Sequence, residues 1–218
     1  MVAQIEQMLV EAWEKFCDYY DTRAPRFQDS WRLPSCLDEA DALKSHWICW
    51  DEKDLTFHIG RFFYDILKGK KESLFSNIEI HFEKKVDHIN FPNDYVFANR
   101  LDELRSRLGK WPKVDMIVAY DNRPYRFLLC AEVKCFRGPP NYHDNETPID
   151  KINADIKKLK AYKDLGIAKR VVFILFDDYY WCNDEETAKR IKERLDEIRN
   201  ENGITVLFHT SEAKLENY

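Results

Sequence analysis

The sequence predicts an α/β domain, a mixed sheet flanked by helices, with a helical extension at its N-terminus. Three observations predict it. Lys113–Tyr120 and Tyr125 to Phe136 are aliphatic, β-branched and aromatic runs separated by Asp121-Asn-Arg-Pro124, whose turn formers suit a hairpin. Arg170-Val-Val-Phe-Ile-Leu-Phe-Asp177 is a continuous apolar run after a helix-periodic segment, as a buried strand reached by a crossover helix would be. Residues 2 to 20 place Ile5, Met8, Leu9, Ala12, Trp13, Phe16 and Tyr20 on one side of a helix.

In chain order, that first helix is expected to cover an edge or end of the core, with a homodimer contact as its alternative role. Asp21 to Cys36 reads as irregular, Leu37 to Ser45 as a short helix, and neither carries assignable chemistry. Residues 1–50 are therefore taken as an N-terminal helical extension packed on the core. Residues 51–218 are taken as the α/β domain, the two forming one folding unit. Asp51 is a helix cap answered by Asp54, ahead of the stripe Leu55, Ile59, Phe62, Phe63, Ile66 and Leu67. At 100° per residue Glu52 falls in that stripe, while Asp54, His58, Arg61 and Asp65 fall opposite.

Asn77 to Val86 alternates as a strand, with Ile78, Ile80 and Phe82 on one face and Glu79, His81 and Glu83 on the other. A helix near Asp94 to Leu108 precedes the hairpin and carries Arg100, Arg105 and Arg107, with Lys110 just beyond. A solvated face is the default for such a helix and phosphate contact the alternative. After the hairpin, the breaker-rich Arg137 to Glu146 is a loop flanking the end of the second strand. Thr147 then caps a helix with Pro148 at its first position. Ile149, Ile152, Ile156 and Leu159 face inward, and Lys151, Asp155, Lys158 and Tyr162 share a flank. The aromatics of Asp178 to Cys182 close over the core or stack on bases. Asn183 or Asp184 caps a last helix stopped by Gly203, and Ile204 to His209 is a last strand.

Composition bounds the function. At 218 residues with 44% apolar and 14% aromatic content, the chain can bury a sizeable core. A net charge of −5 argues against a protein that coats nucleic acid nonspecifically, yet leaves room for a local basic face. No apolar run has bilayer length, and Met-Val-Ala-Gln-Ile-Glu lacks a basic leader region. The six cysteines show neither C-x-x-C nor zinc spacing and are read as reduced thiols, so a cytoplasmic protein without membrane contact is expected.

Three charges interrupt the apolar hairpin: Asp115, Glu132 and Lys134. Glu132 and Lys134 share a face, and if Tyr120 and Phe127 close the loop, Asp115 pairs level with residue 132. Burying these groups is costly unless they pair or hold a cation. Val114-Asp115 followed by Glu132-Val133-Lys134, in the order helix, three strands, helix, strand, resembles the PD-(D/E)XK nuclease superfamily over roughly residues 51 to 178. The proline usual before the Asp is missing; Pro112 stands three positions ahead.

The resemblance implies a restriction-endonuclease-like αβββαβ core and a Mg²⁺-dependent nuclease, with Mn²⁺ able to substitute, cutting phosphodiester bonds in DNA rather than RNA. It implies that Asp115, Glu132 and the backbone carbonyl of Val133 hold the metal and that Lys134 positions or deprotonates water. It also implies an acidic residue from the first core helix, for which Glu52 is the candidate and Glu79 or Glu83 the reserves. A plain helix-dipole role is the alternative for Glu52. Lys151 and Lys158, on the helix after the motif, would meet the nucleic-acid backbone. The rival readings are a non-catalytic nucleic-acid-binding or scaffolding module with the same fold and an exposed salt-bridge cluster. Cys135 and His143 lack an organised triad signature.

Overall fold

The computed structural model describes residues 1–23, 51–70, 75–87, 95–120, 123–136, 147–177 and 185–210. Expectations for the segments 24–50, 137–146 and 178–184 lie outside the described residues. The described elements are helices α1 (Val2–Arg23), α2 (Glu52–Gly69), α3 (Tyr95–Leu108), α4 (Pro148–Asp164) and α5 (Glu185–Asn202). The strands are β1 (Ile78–Lys85), β2 (Lys113–Tyr120), β3 (Arg123–Phe136), β4 (Val171–Asp177) and β5 (Thr205–Thr210). They form one mixed sheet in the order β1-β2-β3-β4-β5. The first three strands meander antiparallel, and β3–β4 and β4–β5 pair in parallel through α4 and α5.

Each face of the sheet carries its own apolar cluster. Ile5, Leu9, Phe16 and Tyr20 of α1 and Leu55, Ile59 and Phe63 of α2 pack on Met116, Val118, Ala131 and Val133. Leu101 of α3, Ile152, Ile156 and Leu159 of α4, and Ile191 and Leu195 of α5 cover the opposite face over Ile117, Cys130 and Phe173. The whole apolar side expected for α1 is buried, but the helix covers one sheet face against α2 and not an edge or end of the core, because that face has an apolar layer for it to bury. It continues to Arg23, past the expected end at residue 20. His58, expected opposite the apolar stripe of α2, is half-buried beside the Phe16 and Tyr19 rings, with centroids 6.1 and 5.9 Å away. No helix among the described residues is long and apolar enough to cross a membrane.

Caps fix the two helices that matter most to the site. Asp51 accepts the Lys53 and Asp54 N–H groups at 2.8 and 3.0 Å and starts α2 at Glu52. Thr147 and Asp150 form a reciprocal capping box that starts α4. The hairpin is less regular than expected. Met116 pairs with Ala131 in the expected register, but the ladder shifts near the loop, where Ala119 meets Phe127 and Tyr120 meets Arg123. Leu128 and Leu129 consequently face the same apolar layer, the mark of a bulge, and β3 begins two residues early.

Candidate functional site

The bulge lies on the loop side of Met116, so the other half of the hairpin keeps the alternation that the charged residues need. Ala131 and Val133 face α1 and α2, whereas Cys130 faces the α4 side. Glu132 and Lys134 therefore also point toward α4. Asp115 lies one residue beyond Met116, and its Oδ2 accepts the Val133 N–H at 2.7 Å. This bond ties the Asp strand directly to the Glu-x-Lys strand.

Glu132 is fully buried in the middle of the sheet, beside Phe173 of β4. Its Oε2 accepts from Lys158 Nζ. Its Oε1 is buried with no hydrogen-bond partner among the described residues. Lys158 also lies 2.8 Å from Asp155 Oδ1, and Lys134 Nζ lies 3.2 Å from Asp155 Oδ2. Lys134 Nζ donates to Glu52 Oε1 at 2.8 Å. The result is an alternating chain of charge, Glu52–Lys134–Asp155–Lys158–Glu132, with Asp115 alongside. Four carboxylates face two ammonium groups, leaving an excess of negative charge.

Burial and this crowding set the protonation behaviour. Burial pushes Asp115 up to about 6, against the lowering effect of the Val133 N–H and Lys158. Burial likewise raises Glu132 well above the usual carboxylate range, with Lys158 pulling the other way. For Lys134 burial lowers the pKa, but Asp155 and Glu52 more than reverse it and the group is raised. Lys158 is raised too, because Glu132 and Asp155 outweigh its burial. Beneath the cluster, burial and then the Glu132 charge raise the Tyr162 phenol, whose oxygen has no hydrogen-bond partner among the described residues.

Asp115, Glu132, Lys134 and Glu52 thus come together, and Val133 joins them through its N–H. Of the three acidic candidates for the last place, Glu52 reaches the cluster. Glu79 instead lies 3.4 Å from His81 on an exposed part of β1, and Glu83 is bonded to Lys113. Lys158 lies inside the cluster, bound to two carboxylates, because a buried Glu132 requires a cation partner. Lys151 is half-buried one turn before Asp155 on α4. The arginines before the hairpin have protein partners: Arg100 bonds the Gly166 carbonyl, Arg107 bonds Glu103, and Arg105 lies over Trp111.

Asp155 and Tyr162, expected on a polar flank of the helix with Lys151 and Lys158, are buried instead, and Asp155 joins the cluster as a member not expected there. It stands three residues after Ile152 and four before Leu159, at the edge of the apolar stripe of α4, and the sheet beneath the helix turns that edge inward.

The donor set is composed of hard oxygens, and a fully buried carboxylate oxygen without a partner is what a cation such as Mg²⁺ would satisfy. The chemistry of the residues therefore fits a hard divalent ion. Among the described residues, however, no three Asp, Glu, His or Cys side chains form a ready-made metal cage. The ammonium groups of Lys134 and Lys158 pair with these carboxylates. Compared with known proteins, the chain matches no family model, no curated protein and no solved structure.

Proposed function

We propose that the chain is a Mg²⁺-dependent nuclease with a restriction-endonuclease-like core, hydrolysing phosphodiester bonds in DNA in preference to RNA. The observation that carries this reading is that Asp115, Glu132, Lys134 and Glu52 belong to one charged cluster, linked through Asp155 and Lys158, in which a Glu132 oxygen is buried without a hydrogen-bond partner among the described residues. The element order supports it as well: α2, β1, β2, β3, α4 and β4 run as αβββαβ, with α3 inserted ahead of the hairpin.

Asp115, Glu132, Glu52 and the Val133 carbonyl would hold the ion, and Mn²⁺ would substitute for Mg²⁺. When bound, the ion would supply Lewis acidity, offsetting phosphate charge and lowering the pKa of a water so that it loses a proton to solvent and hydroxide is the nucleophile. Asp115 holds the Val133 N–H and so fixes the two strands against each other. Lys134, between Glu52 and Asp155, keeps its proton and donates hydrogen bonds to the water or to the phosphate oxygen that gains charge. Lys158 neutralises Glu132 and Asp155 in the ion-free protein and presents its remaining donors toward the phosphate. Lys151 lies on the approach to that helix face.

Cleavage of plasmid, linear, single-stranded DNA and RNA with Mg²⁺, Mn²⁺ or chelator tests this reading. Metal-dependent cutting is expected in the wild type and should fall by about 10³-fold or more in Lys134→Ala and Asp115→Ala. No cutting of any substrate, together with no metal binding by calorimetry, would overturn it. That outcome favours a non-catalytic nucleic-acid-binding or scaffolding module. The observation behind this second reading is that the two lysines already neutralise much of the cluster from within.

A further inference from the structure

The groove between α2 and the edge strand β1 encloses about 1010 Å³. It differs chemically from the rest of the surface. Among the described residues five large apolar side chains are prominently exposed, and three of them line this groove: Phe57 at 62%, Tyr64 at 49% and Phe82 at 40%. Arg61, Lys68 and Lys70 line it too, and Lys68 Nζ lies 4.5 Å from the centre of the Tyr64 ring. The carboxylate among its lining residues is Glu79, held near His81. On a chain of net charge −5, three cations against one carboxylate reverse the local sign.

Phe82 has a built seat. A Cβ on Gly60, in the middle of α2, would lie 2.2 Å from the Phe82 Cζ atom. Glycine weakens a helix interior, so here it permits a close approach of ring to backbone. The ring nonetheless keeps 40% of its surface in solvent. Immediately after it, Glu83 adopts a φ of 54° and kinks the edge strand. The groove also has a direction. Phe82 pairs with Met116, the neighbour of Asp115, and α2 begins at Glu52, which bonds Lys134. From there the groove extends past Tyr64 to Lys70 and Phe75. Phe57 and Tyr64 are about 10 Å apart along the helix.

We propose that this groove binds single-stranded DNA, with bases stacking on Phe57, Tyr64 and Phe82 and phosphates meeting Arg61, Lys68 and Lys70. Exposed aromatic faces interleaved with cations are what a strand with unpaired bases needs, and a duplex would hide those bases. In a two-fold dimer the groove would face its own copy and set these cations against one another, so its charge favours a polyanion as the occupant. The groove holds the strand that leads into the cluster, and this direction rests on the nuclease reading above.

The test is fluorescence anisotropy with full-length protein in chelator, so that binding is read without cleavage. The probes are a 20-nucleotide oligothymidine, a 20-base-pair duplex and a 20-nucleotide oligouridine. Oligothymidine is expected to bind more tightly than the duplex, and its preference over oligouridine rests on the DNA reading above. Phe57→Ala and Tyr64→Ala should each weaken it about tenfold. The log–log salt slope should be about −2 and flatten in Arg61→Ala/Lys68→Ala. Gly60→Ala, which displaces the Phe82 ring without deleting it, should weaken binding while the thermal transition stays sharp.

Binding that ignores the ring substitutions, or tighter binding of duplex or oligouridine, would overturn the proposal. So would ring substitutions that dissociate a dimer in gel filtration and leave oligothymidine affinity unchanged. Ring-dependent binding without metal-dependent cleavage would keep the groove and remove the nuclease. Cleavage with unaltered affinity in the ring variants would do the reverse.

Discussion

Glu132 and Lys158 form the pair on which the charged cluster depends. Glu132 has no exposed surface, whereas 26% of the Lys158 side chain remains exposed. Removing Lys158 leaves a carboxylate in the middle of the sheet with its nearest cation gone. Lys158→Met should therefore cost on the order of 3 kcal/mol in chelator, the lower end for a broken buried pair because Lys158 is partly solvated. The double variant Glu132→Gln/Lys158→Met should recover most of that loss, which urea denaturation of the four proteins would read as a double-mutant cycle. A single-variant cost below about 1 kcal/mol would mean that Glu132 is already protonated and needs no partner. The same residues show what a sequence does and does not disclose. Asp115, Glu132 and Lys134 stand out because charge interrupts strands that are otherwise apolar. Asp155 does not, because carboxylates are ordinary on helices and its inward position depends on the sheet lying beneath α4. Lys158 was visible as part of a polar flank, but its partner depends on which strand residue that flank covers.

At the scale of elements, α4 carries Asp155 and Lys158 and is held at its start by one local motif. Asp150 N–H donates to Thr147 Oγ1 at 3.2 Å, and Asp150 Oδ2 accepts from the Thr147 N–H at 3.0 Å and from its hydroxyl at 2.7 Å. These bonds hold the Asp150 carboxyl below its ordinary value. A carboxyl lowered by folding contributes stability that is present above its unfolded pKa and is lost as the pH falls through the lowered folded value. Thr147→Ala should lower Tm by roughly 3 °C at neutral pH. The gap from wild type should narrow in acid, below the ordinary carboxylate range, as calorimetric scans across pH would show. A pH-independent gap would assign the effect to packing alone. This cap was legible from Thr147-Pro148 because capping is local chemistry. The bulge at Leu128 was not, because two adjacent leucines are equally apolar and alternation gives no sign of which face each takes.

At the scale of the whole molecule, α1 decides whether the chain is one cooperative unit or a domain with an appendage. Its apolar side is complete in the sequence, but the sequence does not say what it covers. The structure places it against α2 and the sheet face bearing Phe176, whose ring meets Phe16 edge-on at 5.4 Å and Tyr20 at 4.7 Å. Phe16 also neighbours His58 of α2, and the first turn of α2 delivers Glu52 to Lys134. The packing of α1 therefore supports the helix that completes the charged cluster, although α1 contributes no residue to that cluster. Phe16→Ala removes a fully buried ring from this junction and should cost about 3–5 kcal/mol. Urea unfolding followed by far-ultraviolet circular dichroism and by tryptophan fluorescence is the measurement. If α1 belongs to the cooperative core, both probes shift to lower urea by the same amount and remain coincident. If α1 were an independently stable cover, the transitions would separate and the later one would stay at the wild-type midpoint. In the cooperative case the substitution acts through the folding equilibrium and leaves the Glu52–Lys134 contact intact in every molecule that folds.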